Sequence, residues 1–210
     1  MRIQGLGKLG LATLLMAFMA SCAAQKNEKL PILGMRDVQG TDTLYHTIPD
    51  FSFVDQDSQV VNQETVAEKI YVVDFFFTSC PSICPKMSQQ MLRLHDEFKD
   101  EDRVVLISHS IDPAYDDVKV LNEYATALGV DSKKWHLVTG EKDSIYHMAT
   151  QYMISAAEDE NAPGGFIHSG AFMLVDTNRH IRAYFDGTKP EQVDELMDAI
   201  RSLLNEQFQN

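Results

Sequence analysis

The sequence predicts an α/β sandwich with a mixed central sheet flanked by helices. Strand patterns alternate with helix patterns along most of the chain, which is typical of parallel strands joined by crossover helices. Near the C-terminus two apolar segments flank a short turn, which predicts an antiparallel pair in the same sheet. The 210 residues suffice for one domain of ordinary size, and 44% hydrophobic with 23% charged residues is typical of a soluble globular protein.

The first predicted element is an N-terminal β-hairpin, in which short apolar segments at 51–54 and 59–61 flank the turn residues 55–58. Continuous apolar runs follow at 70–77 and 104–108. Their β-branched and aromatic residues predict strands that are buried on both faces. Such strands belong at the centre of the sheet, with helices covering both sides.

Apolar residues at helical spacing predict the helices between these strands. One helix is expected to follow the break at Ser79–Pro81, with Met87, Met91, Leu94 and Phe98 on its apolar face. Further helices are expected over residues 116–128, 142–153 and 191–207. A further strand is expected at 135–138, and the antiparallel pair lies at 171–175 and 181–185 around the turn 176–179. Between the third helix and this pair, an acidic loop rich in Pro and Gly is expected at 158–165.

The N-terminal residues have the features of an export signal. An apolar run at 9–19 follows two basic residues and is too short to span a bilayer, which needs about 20 residues. Cys22 comes directly after small residues, and this row resembles a bacterial lipobox, in which cleavage before the cysteine is coupled to its lipidation. A plain signal peptide cleaved near Ala24 is the alternative. The predicted organisation is a lipoprotein signal peptide at 1–21, a tether at 22–47 and a folded domain at 48–207. A short strand at 42–47, at the end of the tether, is the alternative to a wholly extended tether.

The predicted protein is therefore an exported bacterial lipoprotein, anchored to a membrane and facing the periplasm or the outside of the cytoplasmic membrane. Several acyl chains on Cys22 would hold it stably, since each buried methylene contributes roughly 0.8 kcal/mol. The formal net charge of −13 repels phosphate backbones and argues against nucleic-acid binding. That charge is compatible with capturing cations or meeting a basic partner.

The three cysteines point to chemistry at one pair. An odd number in an exported protein leaves one cysteine over, and assigning Cys22 to lipid leaves Cys80 and Cys84. A disulfide between residues so close closes too small a loop to stabilise the fold much, so redox or metal chemistry explains the pair better. A helix is expected to begin here, and its free N–H groups favour a thiolate. One helical turn would separate the two sulfurs, so that both can point the same way as a soft chelate.

Four segments resemble the SCO/SenC family, which is named for a role in the synthesis of cytochrome c oxidase. The most specific is Thr78–Pro85, which has the form Cys-x-x-x-Cys-Pro after an aromatic strand. The others are Ser110–Asp116, Trp135–Gly140 and the His168-Ser169 pair before a strand. The resemblance spans about residues 48–206 and implies a thioredoxin-like fold in which two cysteines and a histidine bind copper. These roles fall on Cys80, Cys84 and His168.

The family resemblance implies a copper metallochaperone that passes copper, as Cu(I) or Cu(II), to the copper-binding subunit of cytochrome c oxidase. A thiol reductant or another copper carrier would be a second partner. Two thiolates suit Cu(I), and an imidazole extends the site to Cu(II). Oxidation to a Cys80–Cys84 disulfide would remove both thiolates, so copper loading is expected to depend on thiol redox state. Asp112 matches the family motif and is a candidate for orienting the site from behind the ligands; a turn-forming aspartate before Pro113 is the alternative.

Other functions stay open on the residues alone. A Cys₂His set could hold Zn²⁺ with a water in the fourth position. A dithiol at a helix N-terminus can exchange disulfides, which predicts a thiol–disulfide oxidoreductase acting on exported cysteines or on the oxidase copper site. Thioredoxin-type enzymes, however, carry Cys-x-x-Cys and a facing cis-proline, whereas the equivalent loop here holds His168 and no proline. Residues 48–51 resemble a peroxiredoxin segment, which leaves a peroxidase as a third class.

Two further polar residues in the predicted central strands are expected to be structural. His109 ends the second of these strands near the same edge of the sheet, and we expect it to make a simple hydrogen bond. A position close to the cysteine pair is the alternative for His109. Asp74 lies in an apolar strand before Cys80, and we expect a hydrogen-bonded carboxylate there. A proton acceptor beneath the thiols is the alternative for Asp74.

Overall fold

A mixed sheet of seven strands forms the centre of the computed structural model, which describes residues 29–208. In chain order the strands are β1 (Arg36–Gln39), β2 (Asp42–Tyr45), β3 (Ser52–Asp55), β4 (Val60–Asn62), β5 (Ile70–Phe76), β6 (Val104–Ser110), β7 (Trp135–Thr139), β8 (Ala156–Glu158), β9 (Phe166–His168), β10 (Ala171–Val175) and β11 (Ile181–Asp186). The helices are α1 (Cys84–Phe98), α2 (Val118–Leu128), α3 (Lys142–Gln151) and α4 (Pro190–Phe208), and a short 3₁₀ turn spans Pro163–Gly165. No helix among these residues is both long and apolar enough to cross a membrane.

The central sheet has the strand order β11-β10-β5-β6-β7-β3-β4. β5, β6 and β7 run parallel, while the other neighbours in the sheet are antiparallel, so the predicted mixed sheet is confirmed. Every residue of β5 and β6 is buried, as expected for the middle strands of an α/β sheet. The predicted N-terminal hairpin is β3–β4.

Part of the segment predicted as a tether is folded. β1 and β2 form a hairpin whose turn contains Gly40, with a positive φ of 65°. The N–H group of Leu33 donates to the carbonyl of Ile181, at the edge of the central sheet, at 2.8 Å. The buried Arg182 side chain donates to the carbonyl of Pro31 at 3.2 Å. Apolar periodicity does not predict the β1–β2 hairpin, because both of its strands are largely exposed.

Two short strands flank the predicted acidic loop. β8 and β9 pair antiparallel, with Ala156 opposite His168. The sequence does not predict them, because three residues a strand are too few for an alternating pattern to be recognised. The second of these strands ends at His168, one of the three residues expected to bind metal.

Candidate metal centre

Cys80 and Cys84 follow the central strand β5, which ends at Phe76. Cys84 is the first residue of α1, and Pro85 follows it in the first helical turn. Cys80 precedes the helix, in a turn closed by its own N–H group, which donates to the carbonyl of Phe77 at 3.2 Å. The prediction that one helical turn separates the cysteines is therefore wrong. The helix begins only at Cys84, and the preceding turn places Cys80 close to Cys84.

The three predicted ligands each offer one atom to a common site. The sulfur atoms of Cys80 and Cys84 and a ring nitrogen of His168 all lie within 4.8 Å of one another. The Sγ atom of Cys84 lies 3.2 Å from Nε2 of His168. Within residues 29–208, no other group of three or more His, Cys, Asp or Glu side chains has this arrangement. Two soft sulfur atoms and an imidazole form a set that can bind one metal ion.

The neighbouring backbone sets the tautomer of His168. Its Nδ1 atom lies 3.2 Å from the carbonyl oxygen of Ser169, which can only accept a hydrogen bond, so Nδ1 carries the ring proton. The Nε2 atom keeps its lone pair, directed at Cys84, as in a metal-binding histidine. Burial lowers the pKa of His168 and outweighs the opposite effect of the Ser169 carbonyl, so the ring is neutral at neutral pH.

The two thiols differ in acidity, although both are free and buried. Burial raises the pKa of Cys80, but hydrogen bonds from the Cys84 thiol and from the backbone N–H groups of Ser82 and Cys84 outweigh it and bring the pKa below its ordinary value. Burial, followed by the hydrogen bond to Cys80, raises the pKa of Cys84 far above its ordinary value. Of the two thiols, Cys80 alone has the expected thiolate-favouring environment.

The acidic loop before His168 packs on the cysteine turn. Gly164 has a φ of +82°, and a Cβ atom there would lie 2.8 Å from Cε2 of Phe77 and 3.1 Å from Cδ of Pro81. The Phe77 ring meets the His168 ring edge-on, with the ring centroids 5.9 Å apart. The loop and the cysteine turn therefore shape the site together, and glycine at position 164 permits their close approach.

The structure does not bring the Asp112 side chain to the three ligands. The Asp112 backbone makes turn hydrogen bonds, from its N–H group to the hydroxyl of Ser110 and from the Asp116 N–H group to its carbonyl. Burial, followed by the negative charge of Asp116, raises the pKa of Asp112. Asp116 is the residue that reaches the cysteine turn, because its carboxylate accepts hydrogen bonds from Thr78. The family motif contains both aspartates, and their spacing alone does not tell which one points inward.

Two buried polar residues of β5 and β6 do not join the site. Asp74 accepts a hydrogen bond from the hydroxyl of Ser108, which confirms the expected hydrogen-bonded aspartate. Burial raises the pKa of Asp74 to about 7, although the bond from Ser108 acts in the opposite direction. Both ring nitrogens of His109 lack a hydrogen-bond partner among residues 29–208, so the hydrogen bond expected there is absent. The predicted lipidation site, Cys22, lies outside the described residues.

Comparison with known proteins points to one family. The family model described as SCO1/SenC matches residues 39–205. A SCO1 protein homolog from Bacillus subtilis (strain 168) is 26% identical over 193 residues, which cover 91% of this chain and 93% of the relative. A relative from Stutzerimonas stutzeri, whose name refers to copper binding, is 26% identical over 162 residues, which cover 75% of this chain and 77% of the relative.

Solved structures share the fold. A SCO1/SenC family lipoprotein from Bacillus anthracis str. Ames aligns with a TM-score of 0.69 and 26% identity, over 75% of this chain and 94% of that chain. BsSco is a member of the Sco family of cytochrome c oxidase assembly proteins in which a disulfide switch was identified. It aligns with a TM-score of 0.66 and 27% identity, over 79% of this chain and 98% of that chain. The predicted thioredoxin-like sandwich is confirmed by these neighbours.

Proposed function

This chain belongs to the SCO1/SenC family, and from that premise we propose that it binds a single copper ion through Cys80, Cys84 and His168 and delivers it to the copper centre of cytochrome c oxidase. The observation that carries the proposal is the convergence of two sulfur atoms and a ring nitrogen within 4.8 Å of one another. The three atoms come from a turn, a helix start and a separate hairpin, so no local constraint of the chain requires them to meet.

The donor set suits copper. Two cysteine sulfurs bind Cu(I), and the Nε2 atom of His168 makes the set suitable for Cu(II) as well. The Ser169 carbonyl holds the ring in the tautomer that leaves Nε2 free, as outer-shell groups do for metal-binding histidines. The same side chains could hold Zn²⁺, but the intrinsic affinity order of divalent metals places copper above zinc. The reference to copper in the name of the Stutzerimonas stutzeri relative supports copper.

Copper binding in this proposal depends on the redox state of the thiols. In the dithiol form both sulfurs are available. Oxidation would form a Cys80–Cys84 disulfide and pass two electrons and two protons to a disulfide of a partner, which becomes a dithiol. Both thiolates would then be lost from the donor set. Reduction by an exported dithiol carrier would restore the site. The disulfide switch identified in BsSco supports this coupling.

The proposed partner is the copper-binding subunit of cytochrome c oxidase, met at the membrane. BsSco belongs to a family of assembly proteins for this oxidase, and the Bacillus anthracis neighbour is a lipoprotein. Lipidation of Cys22 would keep the folded domain beside the membrane that holds the oxidase. Even fully extended, the chain from Cys22 to Lys29 spans only about 25 Å.

A thiol–disulfide oxidoreductase is the second candidate, and the difference between the two thiols favours it. The lowered pKa of Cys80 suits a thiolate that attacks a partner disulfide. Cys84 would then resolve the mixed disulfide and release the partner as a dithiol. Because the pKa of Cys84 is raised, its thiol must give up a proton in this step, and Nε2 of His168 at 3.2 Å can accept it. The histidine therefore serves either function, as a proton acceptor in the exchange or as a ligand in the metal site.

Copper titration of the purified, reduced protein tests the proposal. One equivalent of Cu(II) should produce sulfur-to-copper charge-transfer absorption in the wild type. His168→Ala should bind copper at least about 100-fold more weakly, since even outer-shell groups typically contribute about 10- to 100-fold. The matched control His147→Ala removes an exposed histidine of α3 and should behave as the wild type. Prior oxidation of the cysteine pair should abolish the absorption.

Two outcomes would contradict the proposal. Equal copper affinity and an identical spectrum for His168→Ala would remove His168 from the ligand set. Weak copper binding by the wild type, together with rapid turnover of a disulfide substrate, would favour the oxidoreductase.

A further inference from the structure

We propose that Asp116 is a positioning residue that holds Cys80 in place for copper, an inference that rests on the proposed function of the site. Asp116 lies in the connection between β6 and α2 and is fully buried. It acts on the cysteine turn through Thr78, two positions before Cys80.

Three donors converge on the Asp116 carboxylate. The Thr78 N–H group donates to Oδ2 at 3.1 Å. The Thr78 hydroxyl donates to Oδ1, and the Ser110 hydroxyl donates to Oδ2. A buried carboxylate is tolerated only where hydrogen bonds replace its water shell, so the three bonds and the burial of Asp116 depend on one another. The carboxylate therefore ties Thr78 to Ser110, the last residue of β6.

The constraint on Thr78 extends directly to Cys80. The Cys80 N–H group donates to the Phe77 carbonyl at 3.2 Å, so Thr78 is an inner residue of the turn that ends at Cys80. The strand before the turn is held as well, because the Ile111 N–H group donates to the Phe76 carbonyl at 2.9 Å. A turn that is held at its start and at an inner residue leaves Cys80 little freedom to move.

The other two proposed ligands are held by different parts of the fold. Cys84 begins α1, and His168 ends β9 with its ring oriented by the Ser169 carbonyl. Loss of the Asp116 carboxylate should therefore loosen Cys80 selectively and leave the 3.2 Å approach of Cys84 to His168 in place. A merely structural role would instead lower the stability of the domain without a selective change at one sulfur.

Asp116→Asn tests the inference, with Asp112→Asn as the matched control from the same motif. The asparagine keeps the shape of the side chain but places N–H donors against the donors of Thr78 and Ser110. We expect copper affinity to fall by about 10- to 100-fold, which is typical for removal of an outer-shell partner. The sulfur-to-copper absorption should weaken, because Cys80 is no longer held at the site. Asp112→Asn should match the wild type.

Substitutions at Thr78 keep the test informative even if Asp116→Asn does not fold. Thr78→Val removes the hydroxyl that donates to Asp116, and should lower copper affinity in the same direction. Thr78→Ser keeps the hydroxyl and should retain wild-type affinity. A difference between the valine and serine variants separates the hydrogen bond from a general loss of packing.

The rate at which a thiol reagent alkylates Cys80 provides a readout that does not depend on copper. A loosened turn should change this rate several-fold in Asp116→Asn and leave it unchanged in Asp112→Asn. Wild-type copper affinity, spectrum and alkylation rate in a folded Asp116→Asn protein would overturn the inference. Failure of the wild type to bind copper would overturn the proposed function instead, and the alkylation rates would still decide the role of Asp116.

Discussion

The regions around His168 and His109 differ in what surrounds a buried histidine. At His168, Nε2 lies 3.2 Å from the Cys84 sulfur and Nδ1 lies 3.2 Å from a carbonyl oxygen. At His109, neither nitrogen has a partner within the described part of the chain. The His109 ring stacks on Phe75 with centroids 4.9 Å apart and meets Phe53 edge-on at 5.0 Å. One imidazole is oriented by polar neighbours, and the other is packed as an aromatic ring.

Strand geometry explains this difference. In the parallel pair β5–β6, Ser108 lies opposite Asp74 and His109 lies opposite Phe75, and successive residues face opposite sides of the sheet. On one face of the sheet the Ser108 hydroxyl donates to Asp74. On the other face His109 packs against aromatic rings. Burial lowers the pKa of both histidines. Burial alone therefore does not distinguish the two histidines, whereas the sulfur atoms beside His168 make it the candidate metal ligand.

The largest expected effect concerns the stability of the His109 region in acid. Burial lowers the pKa of His109 from 6.5 to about 3, so between these values the unfolded chain binds a proton that the folded protein excludes. The contribution of His109 to the free energy of unfolding is therefore fully present above about pH 6.5. It is lost as the pH falls toward 3, by up to about 5 kcal/mol. His109→Phe should remove this loss, as measured by urea unfolding at a series of pH values. Parallel curves for the variant and the wild type would show that His109 is not kept neutral by the fold.

Asp74, on the opposite side of the sheet, should have the reverse pH dependence. Burial raises its pKa from 3.8 to about 7, so the folded protein keeps a proton that the unfolded chain releases. The contribution of Asp74 to the free energy of unfolding is present below about pH 4. It is lost as the pH rises through 7, by about 4 kcal/mol. In the wild type the two effects oppose each other between about pH 4 and 6.5. Asp74→Asn should therefore expose the His109 slope in urea unfolding, and an unchanged pH profile would contradict a protonated Asp74.

Patterns and family motifs predict the central elements and the three proposed ligands, but not how the ligands are held. β5 and α4 are long enough, at 7 and 19 residues, for their periods to be recognised. The strand that carries His168 has only 3 residues. The roles of Asp116 and Ser169 were missed for another reason. Asp116 acts by contact with Thr78, 38 positions away, and Ser169 acts through a backbone carbonyl, which any residue would supply.

The smallest expected effect is at the loop that covers His168, where two adjacent glycines provide a matched pair. Gly164 and Gly165 have φ values of 82° and 85°, which cost a residue with a side chain about 1 kcal/mol. A Cβ atom at Gly164 would lie 2.8 Å from the Phe77 ring, whereas one at Gly165 would meet nothing within 4 Å. Both alanine variants should lose about 1 kcal/mol in free energy of unfolding from the backbone conformation, and Gly164→Ala should lose more because its methyl group crowds Phe77. Only Gly164→Ala should also weaken copper binding.

The expected difference between the two glycine variants follows from the position of Phe77, which lies between the loop and the His168 ring. A new methyl group at position 164 must displace either the loop or this ring. Because the loop precedes His168 and the ring contacts it, either movement should shift the His168 side chain. Copper titration beside urea unfolding separates this local effect from the shared cost of the backbone conformation. Equal copper affinities for the two variants would mean that the loop can move without disturbing His168. Copper binding would then not depend on how Phe77 packs beside His168.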